Sequence, residues 1–265
     1  MITWLRIGFV VVALAIVTLA LLPFQLVALA LDLKIRRHIP RLWHRAACRL
    51  LGIRIHVHGQ LEKRRPVMLA ANHASWKDIL VLGAIADVTF IAKSEVASWP
   101  IFGPLAKLQK TIFVAREDKR KAGAQVTQIA ERLTAGEIVV LFPEGTTSDG
   151  NRLLDIKSSL FGAAAAAVPH VPGNIVHVQP VAIAYTRVYG MAMGRYHRPI
   201  AAWPGDIELV PHLMGVLKAE AIDVEVSFGE TIEFRAGDNR KLLSANVAAQ
   251  IRRMLLACLR GRDYG

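Results

Sequence analysis

The sequence predicts an α/β fold, a mixed sheet with flanking helices, preceded by an N-terminal apolar helix or helix hairpin. Three observations carry this. Pro66 to Ala71 and Ile138 to Phe142 are short continuous apolar runs bounded by polar residues, the pattern of strands buried on both faces. Around them, helical patterns alternate with further strand candidates, as in a sheet whose loops gather at one edge. Ile7 to Leu33 holds a single charged residue, Asp32. The 265 residues contain no repeat, low-complexity tract or domain-breaking linker, so one globular domain behind an anchor is expected.

The apolar fraction of 53% is high, and the excess is concentrated at the N-terminus. Some 26 residues of helix there would extend ~39 Å, enough to cross a bilayer core. A secretory signal is the competing reading, with Arg6 as its basic flank and Ala28-Leu29-Ala30 imitating a cleavage site. The apolar run is about twice the length of a signal's hydrophobic region, which favours the anchor. Pro23 allows a third geometry, two shorter helices dipping into one leaflet.

Lys34, Arg36, Arg37, Arg41, Arg45, Arg49 and Arg54 follow, with no acidic residue among them. Leu42, Trp43, Ala46, Ala47, Leu50 and Leu51 recur at helical spacing, while Arg41, Arg45 and Arg49 share another face. Pro40 suits a first helical position and Gly52 a stop. This basic amphipathic helix is expected to lie on an anionic membrane surface; packing of the same stripe on the domain is the alternative. By the positive-inside rule it and the domain behind it face the cytoplasm. The formal charge of +12 also raises nucleic acid as a partner. No recognition motif or interleaved aromatic residues accompany the cluster, so none is expected. Cys48 and Cys258 lack any partner spacing and are read as small buried hydrophobes, with neither a disulfide nor a metal site.

Ile53, Ile55 and Val57 alternate with Arg54, His56 and His58, a half-buried strand whose histidines form its wet face. Pro66 to Ala71 is the next strand, and Ile79 to Ala86 the helix leaving it. Thr89 to Ala92 is a short strand leading to Lys93. Val96 to Gln109 is apolar but broken by Pro100 and Pro104, and is read as core. Thr111 to Val114 reads as a strand, Asp118 to Leu133 as a helix ending before Gly136, and Glu137 to Phe142 as a strand. Gly162 to Val168 is an alanine-rich helical piece. Ile175 to Tyr185 and Val224 to Phe228 are late strands, and Asn239 to Leu259 is a closing amphipathic helix.

Chemistry concentrates in Asn72-His73-Ala74-Ser75-Trp76-Lys77-Asp78. His73 falls at the C-terminal end of a strand, where open α/β sheets keep their ligand sites. Asp78, about one turn into the following helix, leans back toward the imidazole. A carboxylate on one ring nitrogen fixes the tautomer and leaves the other nitrogen as a general base. A helix cap or a surface pair would use the same two residues. Ser75 lacks the Gly-x-Ser-x-Gly surroundings of a nucleophile elbow, so the proton is expected to come from a substrate hydroxyl.

The strand Ile138 to Phe142 empties into Pro143-Glu144-Gly145-Thr146-Thr147-Ser148. N-H-x-x-x-x-D followed by F-P-E-G-T resembles the glycerolipid acyltransferase family, whose best-known members are the 1-acylglycerol-3-phosphate acyltransferases; the lyso-ornithine lipid acyltransferases are also close. Lys110 to Arg116 (KTIFVAR) and Gln179 to Ala184 (QPVAIA) fit as further blocks in the expected order, so the resemblance covers Val67 to Thr186. It implies a membrane-bound enzyme that moves an acyl group from acyl-carrier protein or acyl-coenzyme A to a lysolipid hydroxyl. The first acceptor implied is 1-acylglycerol-3-phosphate, giving phosphatidic acid; lyso-ornithine lipid is the alternative. No metal and no cofactor are implied. His73 is implied as the base and Asp78 as its orienting partner, with backbone amides near the motif holding the oxyanion. Lys93, Arg116, Glu144, Gly145, Thr146 and Thr147 are implied in acceptor binding, and Val96 to Gln109 becomes a candidate acyl-channel lining. A non-catalytic lipid-binding or transfer protein is the reading from another class; it would need neither His73 nor Asp78 at this spacing.

The chain departs from the family pattern in two blocks. Lys110 and Ala115 replace glycine and aspartate in G-x-x-F-x-D-R. Thr147 stands where the commonest form, P-E-G-T-R, has an arginine credited with holding the acceptor phosphate. A phosphate monoester carries nearly two charges at neutral pH, so either Lys157 or Arg152 compensates or the head group is less anionic. Arg116 can clamp an anion through two parallel hydrogen bonds. Glu144 would repel an anion and is expected on a hydroxyl, a cation or a loop amide. Residues 1–52 are thus expected to form the membrane anchor plus basic amphipathic helix, and 53–265 the catalytic domain, on the cytoplasmic face of the cytoplasmic membrane.

Overall fold

The computed structural model describes residues 2–115, 122–205, 207–218 and 221–261. Its strands are β1 (Ile53–His58), β2 (Val67–Ala71), β3 (Val88–Lys93), β4 (Ile112–Val114), β5 (Ile138–Leu141), β6 (Ile175–Val188), β7 (Met191–Ala192), β8 (Ile222–Phe228) and β9 (Ile232–Arg235). The helices are α1 (Ile2–Ala30), α2 (His38–Leu51), α3 (Lys77–Ile85), α4 (Phe102–Leu108), α5 (Ala122–Thr134), α6 (Gly162–Ala167), α7 (Leu209–Lys218) and α8 (Arg240–Arg260).

The strands form one mixed sheet in the order β1-β8-β6-β2-β5-β3-β4, with β7 and β9 also paired to β6. Central β2 is parallel to both neighbours, β5 and β6. The long β6 changes partner on its other side, pairing antiparallel with β9 at its start and with β8 toward its end. Side chains of β2 alternate between the two faces: Val67, Leu69 and Ala71 enter the core under α1, α2, α3 and α7, while Met68 and Ala70 enter the core under α5, α6 and α8. Val140 and Val139 of β5 divide in the same way. Burial on both faces explains why both strands read as unbroken apolar runs. His56 and His58 on β1 pair with Asp223 and Glu225 of β8 at 2.9 and 2.6 Å, the wet face expected of them. Cys48 and Cys258 are buried, and neither forms a disulfide.

The N-terminal region differs from expectation in how it uses its surfaces. α1 is one helix that runs through Pro23, rather than two shorter ones. It turns back after Ala30, and α2 packs antiparallel to it, with Trp43 Nε1 donating to Thr18 Oγ1 at 2.8 Å. Both ends of α1 are tied to the body. The Arg6 guanidinium donates to the Leu217 carbonyl, and Gln25 Nε2 donates to that of Leu108 at 2.7 Å. Ile7, Val10 and Ala28 are buried, whereas Phe9, Ile16 and Leu19 on the outer side are exposed. An apolar helix of this length and exposure associates with a membrane, here with one side already packed on protein.

The α2 stripe is used inside the fold. Ala47, Cys48 and Leu51 pack in the core beneath α3. Arg45 Nε donates to the Ala84 carbonyl at 2.9 Å, Arg41 lies 3.8 Å from Asp87, and Arg37 lies 3.0 Å from Glu137. Part of the stripe is thus packed on the domain, the second of the two uses expected for it and one that does not exclude the first, since Leu42 and Arg49 remain exposed. Helical periodicity marks a stripe that will be buried without saying what buries it. α2 also begins at His38, so Pro40 sits within its first turn, where the missing N–H is harmless.

Candidate active site

β2 delivers His73 to the site, and Asn72 locks it there. Asn72 Nδ2 donates to the Ile183 carbonyl at 2.9 Å, and its Oδ1 accepts from the Ile183 amide at 2.7 Å. The side chain thus extends the pairing with β6 by one step after the strand itself has ended. The His73 ring stacks on Phe142, centroids 4.0 Å apart and planes 16° from parallel. Its carbonyl accepts from the Ser148 amide at 2.8 Å, joining the two motif loops.

His73 Nδ1 lies 2.9 Å from Asp78 Oδ2. The same oxygen accepts the amides of Ala74 and Ser75 at 2.8 and 2.9 Å, and Oδ1 accepts the Tyr185 hydroxyl at 2.7 Å. Asp78 is fully buried, so its carboxylate and the imidazole are oriented by a closed set of donors. An Nδ1–H donating to Asp78 leaves Nε2 unprotonated, and Nε2 has no partner among the described residues. Burial, then the charge of Asp78, push the Tyr185 hydroxyl well above its ordinary value and keep it a donor. Tyr185 follows directly on the QPVAIA block, yet only the pairing of β6 beside β2 brings it to the dyad.

Glu144 is buried under this turn. Its Oε1 accepts the His73 amide at 2.6 Å and its Oε2 the Leu154 amide at 2.7 Å. Of the partners expected for Glu144, the loop amide is the one present. Burial pushes its carboxyl up to about 7 against the opposing pull of those amides. Of the backbone amides near the motif, those of His73, Ala74 and Ser75 are committed to Glu144 and Asp78. Those of Thr146 and Thr147 have no partner among the described residues.

Gly145 takes φ +75°, a left-handed conformation that glycine adopts without strain, and turns the loop after Glu144. Thr146 beyond it is exposed and Thr147 half-buried. Lys93 stands exposed at the end of β3, beyond β5 from β2, and no hydrogen bond or ion pair joins it to the dyad among the described residues. Arg116 lies outside the described residues. The Lys157 amide donates to the Pro143 carbonyl at 3.0 Å, which puts Lys157 beside the motif loop; its side chain and that of Arg152 are exposed.

A base with a buried carboxylate behind it and a free nitrogen in front suits removal of a proton from a hydroxyl. The acyltransferase family profile matches residues 53–184, which include both motifs. A lyso-ornithine lipid O-acyltransferase of Rhizobium meliloti (strain 1021) is 62% identical over 263 residues, covering 99% of this chain and 90% of that protein. This chain belongs to the acyltransferase family. A 1-acyl-sn-glycerol-3-phosphate acyltransferase of Neisseria gonorrhoeae is 31% identical over 186 residues, 70% of this chain and 68% of that protein. The crystal structure of the 1-acyl-sn-glycerophosphate (LPA) acyltransferase PlsC from Thermotoga maritima superposes with a TM-score of 0.69 at 20% identity, covering 99% of this chain and all of the other. That likeness shows a shared fold.

Proposed function

We propose that this acyltransferase carries a fatty acyl group from a thioester, acyl-carrier protein or acyl-coenzyme A, to the free hydroxyl of a lyso-ornithine lipid. Thr147 carries the choice of acceptor: it occupies the place of the arginine associated with the acceptor phosphate. An ornithine head group has an ammonium beside its carboxylate and asks for fewer cations than a phosphate monoester. The 62% identity with a lyso-ornithine lipid O-acyltransferase supports the same choice, the second of the two acceptors named from the sequence.

In the proposed reaction His73 Nε2 removes the hydroxyl proton as the oxygen attacks the thioester carbonyl. Asp78 orients the ring and stabilises the imidazolium that forms. Collapse of the tetrahedral intermediate breaks the carbon–sulfur bond, and the departing thiolate recovers the proton from His73. The amides of Thr146 and Thr147, without a partner among the described residues, are candidate donors to the oxyanion. The reaction so written uses no cofactor beyond its co-substrate. The basic residues after α1 support a cytoplasmic-membrane location with the body on the cytoplasmic side, where such thioesters are made.

The test supplies purified enzyme with lyso-ornithine lipid or lysophosphatidate and one acyl donor, and compares kcat/KM. A clear preference for lyso-ornithine lipid is expected, and Thr147→Arg should move it toward lysophosphatidate. A preference of the native enzyme for lysophosphatidate would overturn the acceptor assignment.

A further inference from the structure

One charge in the His73 motif plays no part in the chemistry above. Lys77 opens α3, yet its side chain is wholly buried, 0% exposed. An ammonium is tolerated in such a place only where other groups replace its water. Here Nζ donates to Ser75 Oγ at 3.0 Å and to the Ala201 carbonyl, and sits over the rings of Tyr185 and Trp76 at 5.1 and 5.4 Å from their centroids. Two oxygens and two aromatic faces form a built cation seat.

The contact with Ala201 matters for where that segment goes. Two residues on, the Trp203 amide donates to the Ala74 carbonyl at 2.6 Å, so the chain is stitched twice to the turn that carries His73. Trp203 then meets Trp99 edge to face, centroids 6.4 Å apart. A Cβ built on Gly205 would stand 3.4 Å from Thr146 Oγ1, so the segment ends against the other motif loop. The seat of Lys77 also lies directly behind the dyad: Tyr185, whose ring faces the ammonium, donates to Asp78.

We propose that Lys77 is a positioning residue of the acyl-transfer site, holding the Ala201–Gly205 segment on the His73 turn and placing a positive charge behind Asp78. The inference rests on the acyl-transfer reading above. The titratable groups facing Lys77 are Asp78 on its own helix, Tyr185 from β6 and His212 from α7, which accepts Trp76 Nε1 at 3.0 Å. Cys48 of α2 and Arg198 lie against Tyr185, and His73 and Glu144 stand beyond Asp78. Burial lowers Lys77 to about 7 against the pull of Asp78; burial and then the charge of Lys77 lower His212 to about 4, and burial raises Cys48 to about 12. Removing the cation leaves the charge of Asp78 less compensated, which should move the pH dependence of turnover.

Lys77→Met is compared with the native enzyme by melting temperature, by kcat/KM against pH, and by tryptophan emission against pH. The folded variant is expected to lose about tenfold or more in kcat, and its pH profile should move by about half a pH unit or more. Native emission should change through pH ~7 as Lys77 loses its hold on Ala201, and this transition should vanish in Lys77→Met. The emission arm stands even if neither lysolipid is turned over, which would defeat the functional reading alone. A folded Lys77→Met with the native pH profile and the native emission transition overturns the proposal. Should Lys77→Met fail to fold, Ser75→Ala takes its place, because it removes one oxygen from the seat and keeps the charge. Native behaviour of that variant in both measurements then overturns the proposal.

Discussion

The Tyr185 hydroxyl donates to Asp78 Oδ1 at 2.7 Å, closing the side of the carboxylate that His73 leaves open. Tyr185→Phe would bury that oxygen without a partner. We expect a stability loss of ~1–3 kcal/mol. We also expect kcat to fall about tenfold, the equivalent of ~1.4 kcal/mol in the barrier. Chemical denaturation and steady-state kinetics on the same preparation check both, and unchanged kinetics would remove Tyr185 from the site's machinery.

His73→Ala should lower kcat by ~10²-fold or more, the scale of a lost general base, while lysolipid binding changes far less. Asp78→Asn should also be poor. Its neutral amide cannot stabilise an imidazolium, and with its oxygen in the place of Oδ2 its NH2 would face the Tyr185 hydroxyl that Asp78 Oδ1 accepts. Near-native turnover of purified His73→Ala would sink the mechanism, and a binding assay separates it from the lipid-carrier reading.

Glu144 predicts a pH dependence of stability. Its carboxyl is raised from 4.5 to about 7 in the folded state, so the fold favours the protonated form. The stability it contributes is full below pH ~4.5 and is lost as pH rises through ~7, an effect on the order of 3 kcal/mol. Glu144→Gln removes that titration. Denaturation curves from pH 5 to 8 should therefore fall more steeply for the native protein than for the variant; parallel curves would contradict the assignment.

Gly83 faces the ring of His44 where α2 and α3 cross. A Cβ there would lie 2.4 Å from His44 Cδ2. His44 is held by Gln109 at 2.9 Å and lies edge to face with Phe90, so it has little room to retreat. Gly83→Ala is expected to cost ~1–3 kcal/mol as overpacking. A melting temperature equal to the native value would show that the two helices separate freely.

The two sides of α1 should separate membrane binding from folding. Replacing exposed Phe9, Ile16 and Leu19 with serine should weaken sedimentation with vesicles while leaving the melting temperature nearly unchanged. Deleting 1–33 should weaken sedimentation and also lower the melting temperature, since Ile7 and Val10 leave the core beside α7. Full retention of the triple variant on vesicles in high salt would place the membrane contact elsewhere.

What the sequence by itself determined was whatever depends on near neighbours along the chain. The runs at Val67–Ala71 and Ile138–Leu141 announce strands because burial on both faces leaves no polar position in them. His73 and Asp78 could be paired in advance because one strand end and one helical turn bring them together. The closing helix, read from its periodicity as Asn239 to Leu259, runs Arg240–Arg260. Tertiary structure decided the rest. Tyr185 reaches Asp78, Asn72 joins Ile183 and Glu144 holds the His73 amide only because β6 and β5 flank β2. The apolar stripe of α2 and the ammonium of Lys77 were visible as residue types, but periodicity and composition record that a side chain will be buried or charged, not which distant group meets it. That choice belongs to strand order and helix packing, which bring together residues far apart along the chain.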